Sequence, residues 1–185
     1  MVEKTKCTLY SGGMKGAEAA FGEAAERWGL QEVNFSYAGH VMARDKHVVM
    51  LSADELARGD ISMEIASKMM NRTYYEKKKI RTVLQSIFHM VNKGHQVFAV
   101  GKILEDDTVK GGTGWAVELA RLFNRPVSVY DQERKGWFTW QEGAWKPDTP
   151  TITFDTFAGS GTRNLTDDGR AAIDELFARS FGPSR

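Results

Sequence analysis

Four stretches of the chain repeat apolar residues at the spacing of a helix face. Ala17, Ala20, Phe21, Ala24, Ala25 and Trp28 keep that spacing, as do Ile80, Val83, Leu84, Ile87, Phe88 and Val91. Ala116, Leu119, Ala120 and Phe123 form a third stripe, and Ile173, Leu176 and Phe177 a fourth, with Ser180 in phase. Each stripe predicts an amphipathic helix with one buried face. Gly29 and Gly94 stand where the first two helices should stop. Between them lie short β-type runs at 7–10, 33–36, 47–51, 96–100, 126–131 and 151–159. Several are apolar without alternation, as strands buried on both faces are. Strands alternating with helices predict an α/β protein with a mainly parallel sheet. Residues 136–147, GWFTWQEGAWKP, read instead as a small aromatic β-hairpin turning at Gln141, Glu142 and Gly143. The stretch 38–72 has broken periods and is read as a cap over the sheet.

A chain of 185 residues, 42% apolar, suits one domain spanning 1–185. Twenty-five basic residues against 24 acidic ones leave a net charge of +1. A duplex-DNA binder carries a strongly basic face, so nucleic acid is not the expected partner. A single nucleotide is still open, because backbone amides do most of that work. Cys7 has no second cysteine to pair with and sits in a β-type run, which predicts a small buried hydrophobe. No apolar run reaches the ~18 residues of a membrane span, and no signal-peptide core follows the first residues. The expectation is a cytoplasmic protein with no membrane partner. His40, His47, His89 and His95 lack metal-ligand spacing, so no metal site and no required cofactor are predicted.

Three segments share one design: an apolar strand, a glycine-rich turn, then a helix. They are LYSGGMKGAEAAF (9–21), VKGGTGWAVELA (109–120) and TFAGSGTRNLTDDGRAAI (156–173). Glycine admits backbone conformations closed to other residues and lets a ligand come close. The helix N-terminus behind it offers unpaired N–H groups and a partial positive charge. In an open parallel sheet such loops gather at the carboxyl ends of the strands, where ligands bind. Candidate phosphate-binding residues are therefore Ser11, Gly12, Gly13 and Lys15 in the first loop. Gly111, Gly112, Thr113 and Gly114 are those of the second, and Gly159, Ser160, Gly161, Thr162 and Arg163 those of the third. The bland alternative is steric, a turn that simply needs a glycine. For Arg163 that alternative is an ion pair with Asp167 or Asp168. Neither a P-loop nor a nucleophile elbow is present. Thr166 is placed to cap the last helix, with Gly169 on its core side.

These motifs carry a family resemblance. SGGMKGAE (11–18) resembles the SGGARGAD-type segment of the SLOG superfamily, which includes DNA-processing protein A, the YpsA proteins and the Lonely-guy proteins. GGTGWAVE (111–118) resembles the PGGxGTxxE signature of the Lonely-guy branch, with Lys110 for its proline and Trp115 for its threonine. FAGSGTR (157–163) resembles the strand and GSR or GTR turn that opens the fold in DNA-processing protein A and YpsA. Here that strand comes last, which looks like a circular permutation, as in the permuted YpsA-like branch that includes proteins labelled molybdenum carriers. The resemblance implies a Rossmann-like three-layer α/β/α fold that binds a nucleotide or nucleotide-derived ligand. By the Lonely-guy signature, Glu118 matches a glutamate that helps hydrolyse the N-glycosidic bond of a nucleoside monophosphate. The arginine that partners it there has no counterpart at the usual spacing, since Arg72 and Arg81 fall elsewhere. The departures favour a small-molecule binder over an N-glycoside hydrolase. A molybdenum-cofactor carrier and a DNA-associated module are further alternatives. The apolar stripe of the helix from Ile80 to Val91, together with the aromatic hairpin, also predicts a homodimer or larger homo-oligomer.

Overall fold

Gln96–Gly101 is buried at every position, which only a strand at the centre of a two-sided sheet achieves. In the computed structural model this segment, β4, lies in an eight-stranded sheet. The structure describes residues 2–184; Met1, where the N-terminal stretch read above begins, and Arg185 lie outside them. The other strands are β1 (Thr8–Ser11), β2 (Gln31–Ser36), β3 (Val48–Met50), β5 (Val127–Asp131), β6 (Gly136–Gln141), β7 (Ala144–Asp148) and β8 (Thr156–Gly161). Their order across the sheet is β3-β2-β1-β8-β4-β5-β6-β7. The run from β3 to β5 is parallel, and β6 and β7 add an antiparallel hairpin at the edge. The fold is therefore Rossmann-like, with helices on both faces of the sheet.

The last strand of the chain occupies the middle. β8 pairs in parallel with β1 on one side (Leu9 opposite Phe157) and with β4 on the other (Val97 opposite Ala158). This is the parallel placement beside β1 that the motif order predicts. One face is covered by α1 (Ala17–Trp28) and α6 (Asp167–Phe181), whose stripes meet Leu9, Phe98 and Phe157 in one core. On the other face lie α4 (Lys78–Lys93) and α5 (Thr113–Leu122), joined to Val97, Ala99 and Val129 in a second core. Gly29 ends α1 in the left-handed conformation, at φ 76°, and Gly94 ends α4.

Two expectations need correction. The strand read at 151–159 starts only at Thr156 and runs on to Gly161. Residues 151–153 take side-chain partners in place of a neighbouring strand. Gln96 bonds both the Thr151 carbonyl and the Thr153 amide at 2.9 Å, and the Ile152 amide donates to Ser180 Oγ at 2.8 Å. The stretch 38–72, read as a cap, holds the strand expected at 47–51 as β3 and, beyond that reading, two helices, α2 (Ala53–Ala57) and α3 (Asp60–Met69). A capping box between Ser52 and Glu55 opens α2. α3 packs on α4 and α5, forming a layer outside them.

The candidate cleft

The parallel strands β1, β8 and β4 end side by side, so the loops that follow them converge. They enclose a cleft of about 550 Å³ lined by Gly12, Glu18, Gly111, Thr113, Ser160 and Arg163, among others. That is the size of a small-ligand site. Of the residues predicted from sequence, Gly12, Gly111, Gly112, Thr113, Ser160, Gly161, Thr162 and Arg163 line it. Ser11, Gly13, Lys15, Gly114, Gly159 and Glu118 do not, and for most of them the geometry shows another task. Ser11 is fully buried and donates to the Gly159 carbonyl at 2.7 Å, tying β1 to β8. A Cβ on Gly159 would stand 2.6 Å from the Phe21 ring, so this glycine lets α1 lie close to β8. Gly13 adopts φ +66° against the Arg44 carbonyl, and Gly114 fits under the Val109 carbonyl. Lys15 is exposed on its turn.

The three loops differ in what they leave free. In the first, the protein supplies its own anion. Glu18 sits in the first turn of α1, 5% exposed, and its Oε2 accepts from the Met14 amide at 3.1 Å. A Cβ on Gly12 would lie 2.7 Å from that oxygen, so Gly12 makes room for the carboxylate. Burial pushes the Glu18 carboxyl up to about 7, against the opposing pull of the Met14 and Gly12 amides, Arg163 and Ser160. The third loop is largely closed on itself. Thr162 O accepts from the Ala17 amide at 2.9 Å, Thr162 Oγ1 from Asn164, and Thr166 caps α6 through the Gly169 amide at 3.0 Å.

The second loop is the open one. No side chain caps the N-terminus of α5 at Gly112. Thr113 is 7% exposed, lines the cleft, and its hydroxyl has no hydrogen-bond partner among the described residues. Gly112 itself has an ordinary helical φ of −61° and no atom within 4 Å of where a Cβ would stand. Arg72 holds the loop in shape, donating to the carbonyls of Val109 at 2.8 Å and Gly111 at 3.2 Å and to Thr108 Oγ1 at 3.0 Å. Lys110 and Lys102 stand on the same wall, the latter paired with Glu133 at 2.8 Å. Arg163 forms no ion pair among the described residues, and Asp168 pairs instead with Lys135 at 2.9 Å. A second chamber of about 560 Å³ opens past Arg163 and shares Val83, Gly111 and Gly112 with the first. Its walls include Tyr75, Ile80 and Trp115.

Glu118 lies on another side of α5. It is 2% exposed, 3.2 Å from Arg121, and burial raises its pKa while Arg121 and Arg72 pull it back. Arg72 thus approaches Glu118 in space although it is far from it in sequence. His40 is a cleft residue that the sequence reading passed over. Its Nδ1 lies 3.0 Å from Ser36 Oγ, its ring stacks on Tyr37, and its Nε2 is buried with no partner. Burial, reinforced by Arg163, lowers its pKa. The loop that carries it is pinned by Arg44, whose guanidinium grips Glu32 through two bonds of 2.7 Å in a buried pair, while the Arg44 amide donates to Gly13 O at 3.0 Å. No group of His, Cys, Asp and Glu side chains suited to a metal ion occurs among the described residues. Comparison with protein-family models, with curated proteins and with solved structures finds no match to this chain.

Proposed function

We propose that the cleft binds a phosphate-bearing ligand of nucleotide size, with its anionic group at the N-terminus of α5. One observation carries the reading: α5 opens into the cleft uncapped, beside the Thr113 side chain, whose hydroxyl bonds to no described protein group. Free amides, the helix dipole, Lys110 and Arg163 supply the complementary charge. The adjoining chamber, with Tyr75, Ile80 and Trp115, suits a flat apolar group such as a base. The arrangement is what a nucleotide-binding SLOG domain of the permuted YpsA-like branch would need, and membership of that branch is part of the proposal. The single buried cysteine suits a reducing cytoplasm. Among the described residues no helix is long and apolar enough to cross a membrane.

Gly112→Ala is the decisive variant. The added methyl meets no protein atom and no forbidden dihedral, so the fold should persist. It stands where the ligand must approach. Titration calorimetry with nucleoside monophosphates should show binding to the wild type and at least about tenfold weaker binding to the variant, about 1.4 kcal/mol. Equal affinities would remove the α5 site. A hydrolytic reading rests on the approach of Arg72 to Glu118. It requires release of free base by the wild type and its loss in Glu118→Gln, whereas the binding reading expects no release from either.

A homo-oligomer is also proposed, on a different surface from the one the sequence points to. Of the α4 stripe, Leu84, Ile87 and Val91 are buried within the protein and Val83 and Phe88 half-buried, which leaves Ile80 exposed. The exposed apolar stripe is Ile61, Ile65 and Met69 of α3, and Ile61 is 78% exposed. Light scattering should give a mass above that of one chain, reduced by Ile61→Glu.

A further inference from the structure

The cleft contains a contradiction. A site built for an anion has a carboxylate in its wall. Glu18 is almost wholly buried, accepts from the Met14 amide, and opens on the same cleft as the α5 N-terminus. The cation across from it, Arg163, forms no ion pair with any acidic side chain among the described residues.

Resting on the anion-binding reading above, we propose that the cleft takes up an anion together with a proton, and that Glu18 is the group that receives the proton. Arg163 is the link. In the empty cleft its charge favours the ionised carboxylate. An anion that draws on Arg163 neutralises that charge and adds a like charge beside Glu18. Both effects disfavour a negative charge on the buried Glu18 side chain. The carboxylate then binds a proton from solvent, and the acid it becomes has a hydrogen to donate toward the ligand.

The remaining groups around Glu18 fit this assignment. Met14 and Gly12 offer fixed backbone N–H groups, and Ser160 a hydroxyl. Tyr37 has its pKa raised by burial and by Glu18, so it stays neutral near pH 7. Lys102, Lys110 and Glu133 line the cleft, with Lys102 and Glu133 already paired to each other. The wall from α4 contributes only Val83, Ser86, Ile87 and Met90, none of them charged. His40 is the rival acceptor, since its buried Nε2 has no partner. Burial and Arg163 both hold it neutral, and it enters the test as a control.

Burial holds the Glu18 carboxyl at about 7 before an anion binds. Uptake should therefore be small at pH 6, where Glu18 already holds its proton, and about 0.5–1 proton per anion at pH 8. The probes are sulfate, whose charge is constant from pH 6 to 9, and adenosine 5′-monophosphate at pH 7.5–8.5. Calorimetry in buffers of different ionisation enthalpy counts the protons. Affinity should fall with rising pH above 7, by at most about tenfold per unit. Glu18→Gln should abolish both the uptake and the pH dependence and bind sulfate more tightly at pH 8. His40→Gln should keep the uptake. Arg163→Gln, a change at an exposed side chain that leaves the core untouched, should lose affinity at every pH.

Binding without proton uptake by the wild type at pH 8 would overturn this inference and leave the anion site standing. So would uptake that survives in Glu18→Gln or vanishes in His40→Gln. No binding of either probe to the wild type would overturn the inference and the reading beneath it together.

Discussion

Glycines that look alike in the sequence do different work. Gly161 has φ +152°, and a Cβ there would meet the Val100 carbonyl at 2.5 Å and Ala17 at 2.6 Å. Gly161→Ala should therefore destabilise the protein by about 2 kcal/mol or more, read as a drop in the urea midpoint. Gly112→Ala should shift that midpoint little. Spacing cannot separate the two kinds, because a motif records that a glycine is needed and not what comes close to it. Glu18 escaped for a related reason: it stands among Ala17, Ala19 and Ala20, where a surface carboxylate is the ordinary expectation. Its effect on stability has a definite sign. Its pKa in the folded protein, about 7, lies above the ordinary 4.5, so the folded state holds the extra proton between those values. Stability from this group is full below about pH 4.5 and is lost as pH rises to 7, a cost of roughly 3 kcal/mol. Glu18→Gln should raise the melting temperature at pH 8 and leave it nearly unchanged at pH 4.5.

The helices α1, α4, α5 and α6 were legible in the apolar period, and two of their termini in Gly29 and Thr166, whereas α2 and α3 were not. Thr166 does cap α6, and Gln132 Oε1 accepts from the Thr166 amide at 2.8 Å. Thr166→Ala should cost about 1–2 kcal/mol in thermal unfolding, and Thr166→Ser should restore most of it. Residues 151–153 misled because their composition is that of a strand while their hydrogen bonds go to Gln96 and Ser180. Composition reports on burial and not on the partner. Within the illegible stretch 38–72, residues 38–46 have no periodic pattern to hold them. A buried ion pair does so, and Arg44 meets Glu32 across 12 residues. Arg44→Ala leaves Glu32 buried without its counter-charge and should cost about 3–5 kcal/mol. Hydrogen exchange should then rise at Gly39 and His40 ahead of the strands.

At the scale of the molecule, the order of the motifs foretold the central place of β8, while the α3 layer and the second chamber could not be read from it. Both depend on how α4 crosses from one half of the sheet to the other. A chain ending at Pro150 loses the strand that joins β1 to β4. It should show no cooperative unfolding by circular dichroism, in contrast to a chain shortened within the β6–β7 edge hairpin. Val2 and Phe181 pack against the same core, so both ends of the chain lie on one face. A rearranged chain that starts at Pro150, with Ser184 linked to Val2 by a flexible tether, should keep the native near-ultraviolet spectrum.

The late position of β8 also bears on how the protein is made. Synthesis runs from the N-terminus, and β1 and β4 both appear long before the strand that separates them. Until then each half-sheet exposes an unpaired inner edge, Thr8–Tyr10 on one side and Gln96–Val100 on the other. The nascent chain is thus held open along its middle until β8 is made, and the cleft, whose third wall is the loop after β8, closes only with that pairing.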